Sequence, residues 1–475
     1  MQAGQSPRPR PFHRGRLGGG HVPVPAPGSL CADTKPSRTP DRRRCGGSQA
    51  RRPGVEGGER VTISGRDGGF RLLLITRYYY PEIGAAQTRL RETVGGLQDR
   101  GFNLTVVAPV PSYPLGLVPA GYDWWRPLRE RIDGARVARL PTIAIHGAGI
   151  FRRMIDHATF AMTSLATLAI AGDFDAALVE SPPLFLAFAA RALQARGVPY
   201  VFHVADPWPD FPIAMGYLRS PIERRIAFAL EDLAYRGAAA ITTVSPGLVE
   251  LLSRKASAAG RVELLPNGVE VRRFRPERNP AAARERLGWR EAFTVVYAGT
   301  IGLAQGIGTL LEAARLLGND VSIRVVGDGV ERPALEARAR AMDLPNLAFH
   351  PSVPRVDMPS ILSAADAGLV ILRKGALYEE SLPTKLLETM AAARPVIISA
   401  DGLPARIIRD AGAGYIARAE DPVELARAID ECRRDSGRGQ RGAAGRAYVA
   451  QHYERGAILD RLAEILAEAA RTKQR

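Results

Sequence analysis

Two short, continuous apolar runs, Arg71–Thr76 (RLLLIT) and Phe293–Ala298 (FTVVYA), each open a train of alternating strand-like and helix-like segments. A run that is apolar on both faces fits a strand covered from both sides, as in a parallel sheet. In the first train the runs Asn103–Ala108, Ala176–Val179, Tyr200–His203, Ala240–Val244 and Glu263–Leu265 follow. Helical periodicity fills Ala86–Arg100, stopping at Gly101, and recurs near 184–196, 220–236 and 246–255. Pro266-Asn-Gly-Val-Glu270 and Phe274-Arg-Pro276 break the pattern with turn residues. The second train adds strands Ser322–Val326, Leu347–His350, Ala367–Leu372 and Val396–Ser399. Its helices fall at 307–317, 331–342 and 357–363 and near 404–410, 422–433 and 440–450. Alternation of this kind predicts parallel sheets with helices on both faces.

The expected fold class is therefore α/β: two Rossmann-like domains whose parallel sheets face each other across a cleft, preceded by a disordered basic tail. The boundaries are residues 1–70 for the tail, 71–275 for the first domain and 276–450 for the second. Residues 451–475 carry the amphipathic segment Ile458–Ala470, expected to pack back on the first domain. Ligands of such sheets bind at the carboxyl ends of the strands, here in the cleft. The tail holds 13 Arg/Lys against 5 Asp/Glu, a net of +8, so only the other +8 of the formal +16 is spread over the remaining 405 residues. A uniformly basic, nucleic-acid-binding chain is not implied. The tail is rich in Arg, Pro and Gly and has almost no apolar periodicity, so it cannot offset the entropy of ordering. Cys31, Cys45 and Cys432 form neither a disulfide framework nor a metal spacing, which fits a reducing cytoplasm. No run reaches the ~20 apolar residues of a membrane span. Ala158–Ala171 reads as a core helix or one lying on a membrane, and Trp124-Trp125-Arg126 with Arg129 and Arg131 as a basic, aromatic surface of the kind that suits a lipid-linked acceptor.

Chemistry concentrates at the ends of these elements. In Glu380-Ser-Leu-Pro-Thr-Lys-Leu-Leu-Glu388, Glu380 lies in a loop and Glu388 on the helix after Pro383, whose apolar face is Leu386, Leu387, Met390 and Ala391. The free N–H groups of the helix start attract phosphate, and Lys385 adds a positive charge there. Glu388 lies roughly 5–6 Å deeper, at 1.5 Å per residue. A carboxylate at that depth can accept hydrogen bonds from a vicinal diol, so the segment can grip both ends of a nucleoside diphosphate. An ordinary surface helix would look the same. Gly84, in Pro81-Glu82-Ile83-Gly84, permits close backbone approach to a ligand at a helix start, or serves a plain tight turn. His203 and Asp206, at the end of a first-domain strand, suit a group that binds or polarises a sugar hydroxyl and one that orients it. A structural histidine with a loop aspartate is the alternative. Gly299, Thr300, Gln305 and Gly306 form a glycine-rich strand-to-helix loop suited to a diphosphate, and Gly327-Asp328-Gly329 repeats the design.

In this order, over about residues 71–470, these motifs resemble the retaining glycosyltransferases of family 4 with the GT-B fold. The phrases Tyr79-Tyr80-Pro81-Glu82-Ile83-Gly84, Asp206-Pro-Trp-Pro-Asp210 and Gly302-Leu-Ala-Gln305-Gly306 narrow it to bacterial enzymes of O-antigen, capsule and exopolysaccharide synthesis, amino-sugar transferases included. The resemblance implies a nucleotide-diphospho-sugar donor, UDP-linked, and a hydroxyl acceptor on a lipid-linked glycan intermediate. It implies a cytoplasmic enzyme in peripheral contact with the inner membrane, with no resident cofactor, metal or specific nucleic acid. Glu388 matches the glutamate that holds ribose hydroxyls, and Glu380 the one near the donor sugar. His203 matches the histidine that contacts that sugar, and Gly84 the glycine at the diphosphate. Many members carry Arg and Lys where this chain has Thr300 and Gln305, so both usual diphosphate cations are missing. Lys385 is the expected replacement, with Arg373 and Lys374 in reserve. Ala393 stands where a helix-ending glycine is common. A GT-B nucleotide-sugar 2-epimerase, which needs more acid and base groups, and a non-enzymatic polyanion- or membrane-binding protein led by its tail are the competing readings.

Overall fold

The computed structural model describes residues 69–472, apart from 114–115, 146–149, 169–173, 256, 259–260, 278 and 290–291. The tail expected over residues 1–68, with Cys31 and Cys45, lies outside the described residues. Phe70, placed in the tail from sequence, is the buried first residue of a strand.

Two sheets carry the fold. The first contains β1 (Phe70–Ile75), β2 (Phe102–Pro109), β3 (Leu128–Ile132), β4 (Ala135–Leu140), β5 (Ala176–Ser181), β6 (Tyr200–Val204), β7 (Ala240–Thr243) and β8 (Arg261–Leu264). Their order is β3-β4-β2-β1-β5-β6-β7-β8, parallel except for the β3–β4 pair. The second contains β9 (Phe293–Ala298), β10 (Val321–Val326), β11 (Leu347–His350), β12 (Ala367–Ile371), β13 (Val396–Ser399) and β14 (Gly414–Ala417). Its order is β11-β10-β9-β12-β13-β14, parallel throughout. Every residue of β5, β6, β12 and β13 is buried, as strands covered on both faces must be. The doubled α/β architecture is the one the alternation predicts.

Three strands, β3, β4 and β14, escaped the sequence reading. The β3–β4 hairpin turns on Asp133-Gly134, both at positive φ (47° and 84°), the geometry a two-residue hairpin requires. The Asp-Gly pair was a legible signal, masked by the charges of edge strand β3. Strand β14 is short, and its Gly414 is packed so closely that a Cβ would lie 1.9 Å from the Val396 carbonyl oxygen.

The chain changes domains twice, at neighbouring places. Val269 donates its N–H to the Tyr453 carbonyl (2.9 Å) and accepts from the Arg455 N–H (3.0 Å). Beyond that crossing the helix Arg455–Thr472 returns to the first sheet. Its Leu459, Leu462, Ile465, Leu466 and Ala469 share one core with β1, β2 and the helix Ala85–Gln98. The opposite face of that sheet is covered by the helices Ile150–Leu168, Ala187–Ala195 and Pro221–Arg236, the middle one packed against both others.

Ala393 follows the helix Thr384–Ala391 at φ 53°. Left-handed strain there costs about 1–2 kcal/mol, against about 0.5–1 kcal/mol of extra chain entropy for glycine. Ala393→Gly is expected to stabilise the protein by about 0.5–1 kcal/mol, raising its melting temperature by about 1–4 °C. A calorimetric scan showing no rise overturns this.

Candidate active site

In the first domain the site is built at the carboxyl ends of β1, β5, β6 and β7. Gly84 precedes the helix Ala85–Gln98, whose first N–H groups have no partner within the helix. The loop before it is fixed from below. Glu82 is buried and accepts from the Arg77 guanidinium (3.1 Å) and from the N–H groups of Ser112 and Tyr113 (both 2.9 Å). Arg77 also donates to Asp156 (2.6 Å). Gln87 folds over Gly84: its side-chain oxygen lies 2.3 Å from where a Cβ would stand.

His203 lies on β6 in register with Glu180 on β5 and Thr242 on β7, so the three form a row across adjacent strands. Its Nδ1 is 2.9 Å from the Thr242 hydroxyl, while its Nε2 is buried without a partner. Burial pushes the imidazole down to about 4, with Glu180 opposing and Arg89 reinforcing, so it is neutral at physiological pH. Burial also pushes the Glu180 carboxyl up, but Arg89, which donates to both its oxygens (2.7 and 3.3 Å), outweighs this and leaves it ionised. Asp206 reaches solvent beyond the strand, yet desolvation by the surrounding protein raises its pKa against the pull of Arg89. A group that is open on one side and walled on the others has this character.

In the second domain the glycine loops after β9 and β10 are zipped together. Gly299 donates its N–H to the Val326 carbonyl (2.9 Å) and Ile301 to that of Asp328 (2.8 Å). A Cβ on Gly327 would lie 1.9 Å from the Gly299 carbonyl oxygen, and one on Gly329 would lie 2.1 Å from that of Ile301. Gly327 is thus required for the packing of one loop against the other, a role its sequence motif did not announce. Thr300 is exposed, and Gln305 is turned inward, its side-chain oxygen accepting from the Gly302 N–H (3.1 Å). Two cations flank this loop. Arg373 packs against Gly306 (φ 58°), its Cγ 3.2 Å from where a Cβ would stand, and pairs with Glu331 (3.4 Å). Lys385 comes from beneath: its amine lies 3.3 Å from the Cβ position of Gly299 and donates to the Tyr297 hydroxyl. The amine also sits 4.0 Å from the centre of that ring. Burial pushes it down to about 7, opposed by Glu388. Lys374 is exposed.

The two glutamates of 380–388 reach different partners. Glu380 crosses to the first domain and accepts from the Gly247 N–H (3.1 Å), at the start of the helix Pro246–Ser253. Arg406 lies 3.6 Å from its other oxygen. Glu388 is buried and accepts from Arg355 (2.7 Å). Burial raises its pKa, and Arg355, Lys385 and Arg273 oppose the rise. Arg355 also donates to Glu92 of the first domain (2.9 Å), which meets Arg273 (3.5 Å) and Arg455 as well. A line of charge therefore joins Glu388 to the helix that begins after Gly84. Sequence reasoning missed Arg355 and Glu92, because no single arginine stands out in a chain with 65 basic residues. Glu180 ends its strand just as His203 does and was open to the same rule. Arg355→Ala leaves Glu388 buried without its cation. Because the Arg355 side chain is 29% exposed, a loss of about 2 kcal/mol is expected, below the ~3–5 kcal/mol of fully buried pairs. Urea unfolding with no loss overturns it.

The chain also has relatives of known family. Residues 84–268 match the family described as glycosyl transferase 4-like domain, and residues 281–447 that of glycosyl transferases group 1. The chain is 27% identical over 333 residues to WcaI of Escherichia coli K12, a protein assigned to colanic acid biosynthesis as a glycosyl transferase; the match covers 68% of this chain and 81% of the relative. It is 28% identical over 410 residues to a GDP-mannose-dependent alpha-(1-6)-phosphatidylinositol monomannoside mannosyltransferase of Mycobacterium tuberculosis, covering 83% and 98%. In fold it is similar to sucrose-phosphate synthase from Thermosynechococcus elongatus (TM-score 0.69, 19% identity, 83% and 98% covered). It is also similar to HepE of Anabaena, crystallised in complex with UDP-glucose (TM-score 0.63, 17% identity, 84% and 99% covered).

Proposed function

The chain belongs to the family 4 glycosyltransferases of GT-B fold, of the bacterial polysaccharide type, and from that premise we propose that it moves a sugar from a UDP-linked donor to a hydroxyl with retention of configuration. It is a glycosyltransferase of polysaccharide or glycolipid biosynthesis. In our reading the acceptor is a lipid-linked glycan intermediate, met at the cytoplasmic face of the inner membrane. The observation that carries the reading is the position of Lys385 against the Gly299 loop, with the buried carboxylate of Glu388 about one helical turn further along the same helix.

Glu388 would take the ribose diol, with the diphosphate lying over Gly299 between Lys385 and Arg373. Negative charge grows on the leaving diphosphate as the glycosidic bond breaks. Fixed N–H groups at the Gly84 helix start and these two cations would stabilise it without reorganising. The unpartnered Nε2 of His203 is available to a sugar hydroxyl, and neutrality lets the ring hydrogen-bond without adding charge. Glu380, at the Gly247 helix start, would hold the sugar from the second domain. The leaving phosphate takes the acceptor proton in this scheme, so no strong base is needed.

Thermal shift with UDP, GDP, ADP and their sugars tests the reading. UDP at about 100 times its dissociation constant should add roughly 2.7 kcal/mol. A larger response to GDP, the donor named for the mycobacterial relative, overturns the choice of base. Silence to every nucleotide overturns the reading.

A further inference from the structure

A neutral imidazole carries one proton, and its two nitrogens then differ: one donates and the other accepts. In His203 the neighbour on β7 decides which is which. Thr242 is fully buried and faces His203 in the strand register. Its hydroxyl lies 2.9 Å from Nδ1, and among the described residues it has no other hydrogen-bond partner. Thr243 shows the alternative, since its hydroxyl donates to the Val204 carbonyl (2.8 Å). No carbonyl serves Thr242 in that way. A hydroxyl has a single hydrogen, and a buried donor left without an acceptor is unfavourable. With the proton on Nδ1, Thr242 could only accept, and its own hydrogen would be stranded. The Nε2 lone pair, buried without a partner, would be stranded as well. With the proton on Nε2, the Thr242 hydrogen is met by Nδ1, and one N–H alone is left for a ligand. The charge on the other flank agrees. Glu180 is ionised and in register on β5, and a ring whose lone pair faces β7 turns the positive end of its dipole away from Thr242, to the β5 side.

We propose that Thr242 is a positioning residue that locks His203 in the Nε2–H tautomer, so that the ring donates to an oxygen of the donor sugar and holds no lone pair at Nε2 for the acceptor proton. The chemistry of the ligand follows. The atom that meets Nε2 must be an acceptor. A hydroxyl, a ring oxygen or an acyl carbonyl serves, whereas a free ammonium group on the sugar does not. The proton of the acceptor hydroxyl then passes to the departing phosphate oxygen and not to His203. The role at the sugar rests on the proposed function. The tautomer does not, because it is measured without donor or acceptor.

The test uses the full chain with isotope-labelled histidine and long-range nitrogen–proton correlation spectra, which distinguish the two tautomers. His203→Gln identifies the His203 signals by their loss. Wild type is expected to show the Nε2–H pattern at neutral pH with no ligand present. Thr242→Val keeps the shape of the side chain and removes the hydroxyl, so it should mix the two tautomers. Its kcat should fall by about tenfold, the population shift that losing one hydrogen bond permits, while the dissociation constant for UDP stays as in wild type. Thr242→Ser, which keeps the hydroxyl, should restore both the pattern and kcat. An Nδ1–H pattern in wild type overturns the lock, whether or not any variant folds. So does a valine variant with the wild-type pattern and rate, or one with mixed tautomers and an undiminished rate. An Nε2–H pattern that the valine variant disturbs, in a protein that binds no nucleotide, keeps the lock and sinks the proposed function instead.

Discussion

Replacing Glu388 by alanine is expected to lower donor affinity and kcat/KM by about a hundredfold. A hydrogen bond to a charged group contributes about 1.5–3 kcal/mol, and a ribose diol makes two to one carboxylate. Part of that gain is forfeited, because Arg355 holds Glu388 at 2.7 Å and must share it. A net loss near 3 kcal/mol, at 1.4 kcal/mol per factor of ten, gives the hundredfold figure. Glu388→Gln keeps the volume and one acceptor oxygen but not the charge, so it should fall between wild type and alanine. Calorimetric titration with UDP and initial rates decide the matter. An alanine variant that binds and turns over like wild type ends the ribose assignment. Because Glu388 also anchors Arg355, and through it Glu92, the variants should be compared at matched folded fraction.

Lys385→Met should change stability and donor binding in opposite directions. The amine titrates at about 7 in the folded protein, against about 10.4 in an unfolded chain. Between those values the unfolded state binds more protons, so stability rises with pH from about 7 to about 10.4. Below 7 the cost of burying the charge is fully present. Methionine removes that cost and keeps the packing against Tyr297, so at neutral pH the variant should be more stable by a few kcal/mol, and its stability should lose this slope. Donor binding needs the charged amine. Wild-type affinity should therefore be level below pH 7 and fall by up to tenfold per unit above it, whereas the variant should bind more weakly, by about tenfold or more, with no such fall. Equal donor affinity in the two proteins above and below pH 7 would remove Lys385 from the diphosphate site. Gly299 makes the arrangement feasible, since any side chain there would stand between the amine and the loop surface.

The strand–helix alternation was legible because strands buried on both faces leave continuous apolar runs. The β3–β4 hairpin was not, because an edge strand with Arg129, Glu130 and Arg131 reads as a solvated surface segment. The left-handed Ala393 could be foreseen from its place after a helix, since helix ends follow local rules. Within the site, position along the chain identified the groups that end strands or begin helices: Gly84, His203, Gly299, Lys385 and Glu388. Their partners could not be read. Arg355 and Glu92 are 263 residues apart, and only the packing of one domain on the other brings them together. The inward turn of Gln305 and the packing duty of Gly327 were equally hidden, because spacing cannot distinguish a glycine that faces a ligand from one that faces its neighbour.

The return of the last helix to the first sheet has a consequence for the order of synthesis. All the strands of the first sheet have been translated by residue 264, yet Leu459, Leu462, Ile465, Leu466 and Ala469 still have to fill its core. Until they emerge, β1, β2 and the helix Ala85–Gln98 present an open apolar groove, while the second sheet, complete at residue 417, already has all its strands. Domains usually mature from the N-terminus during translation. In this chain the half that is made first is closed last, so the nascent enzyme carries an unfinished first domain through nearly all of its own production.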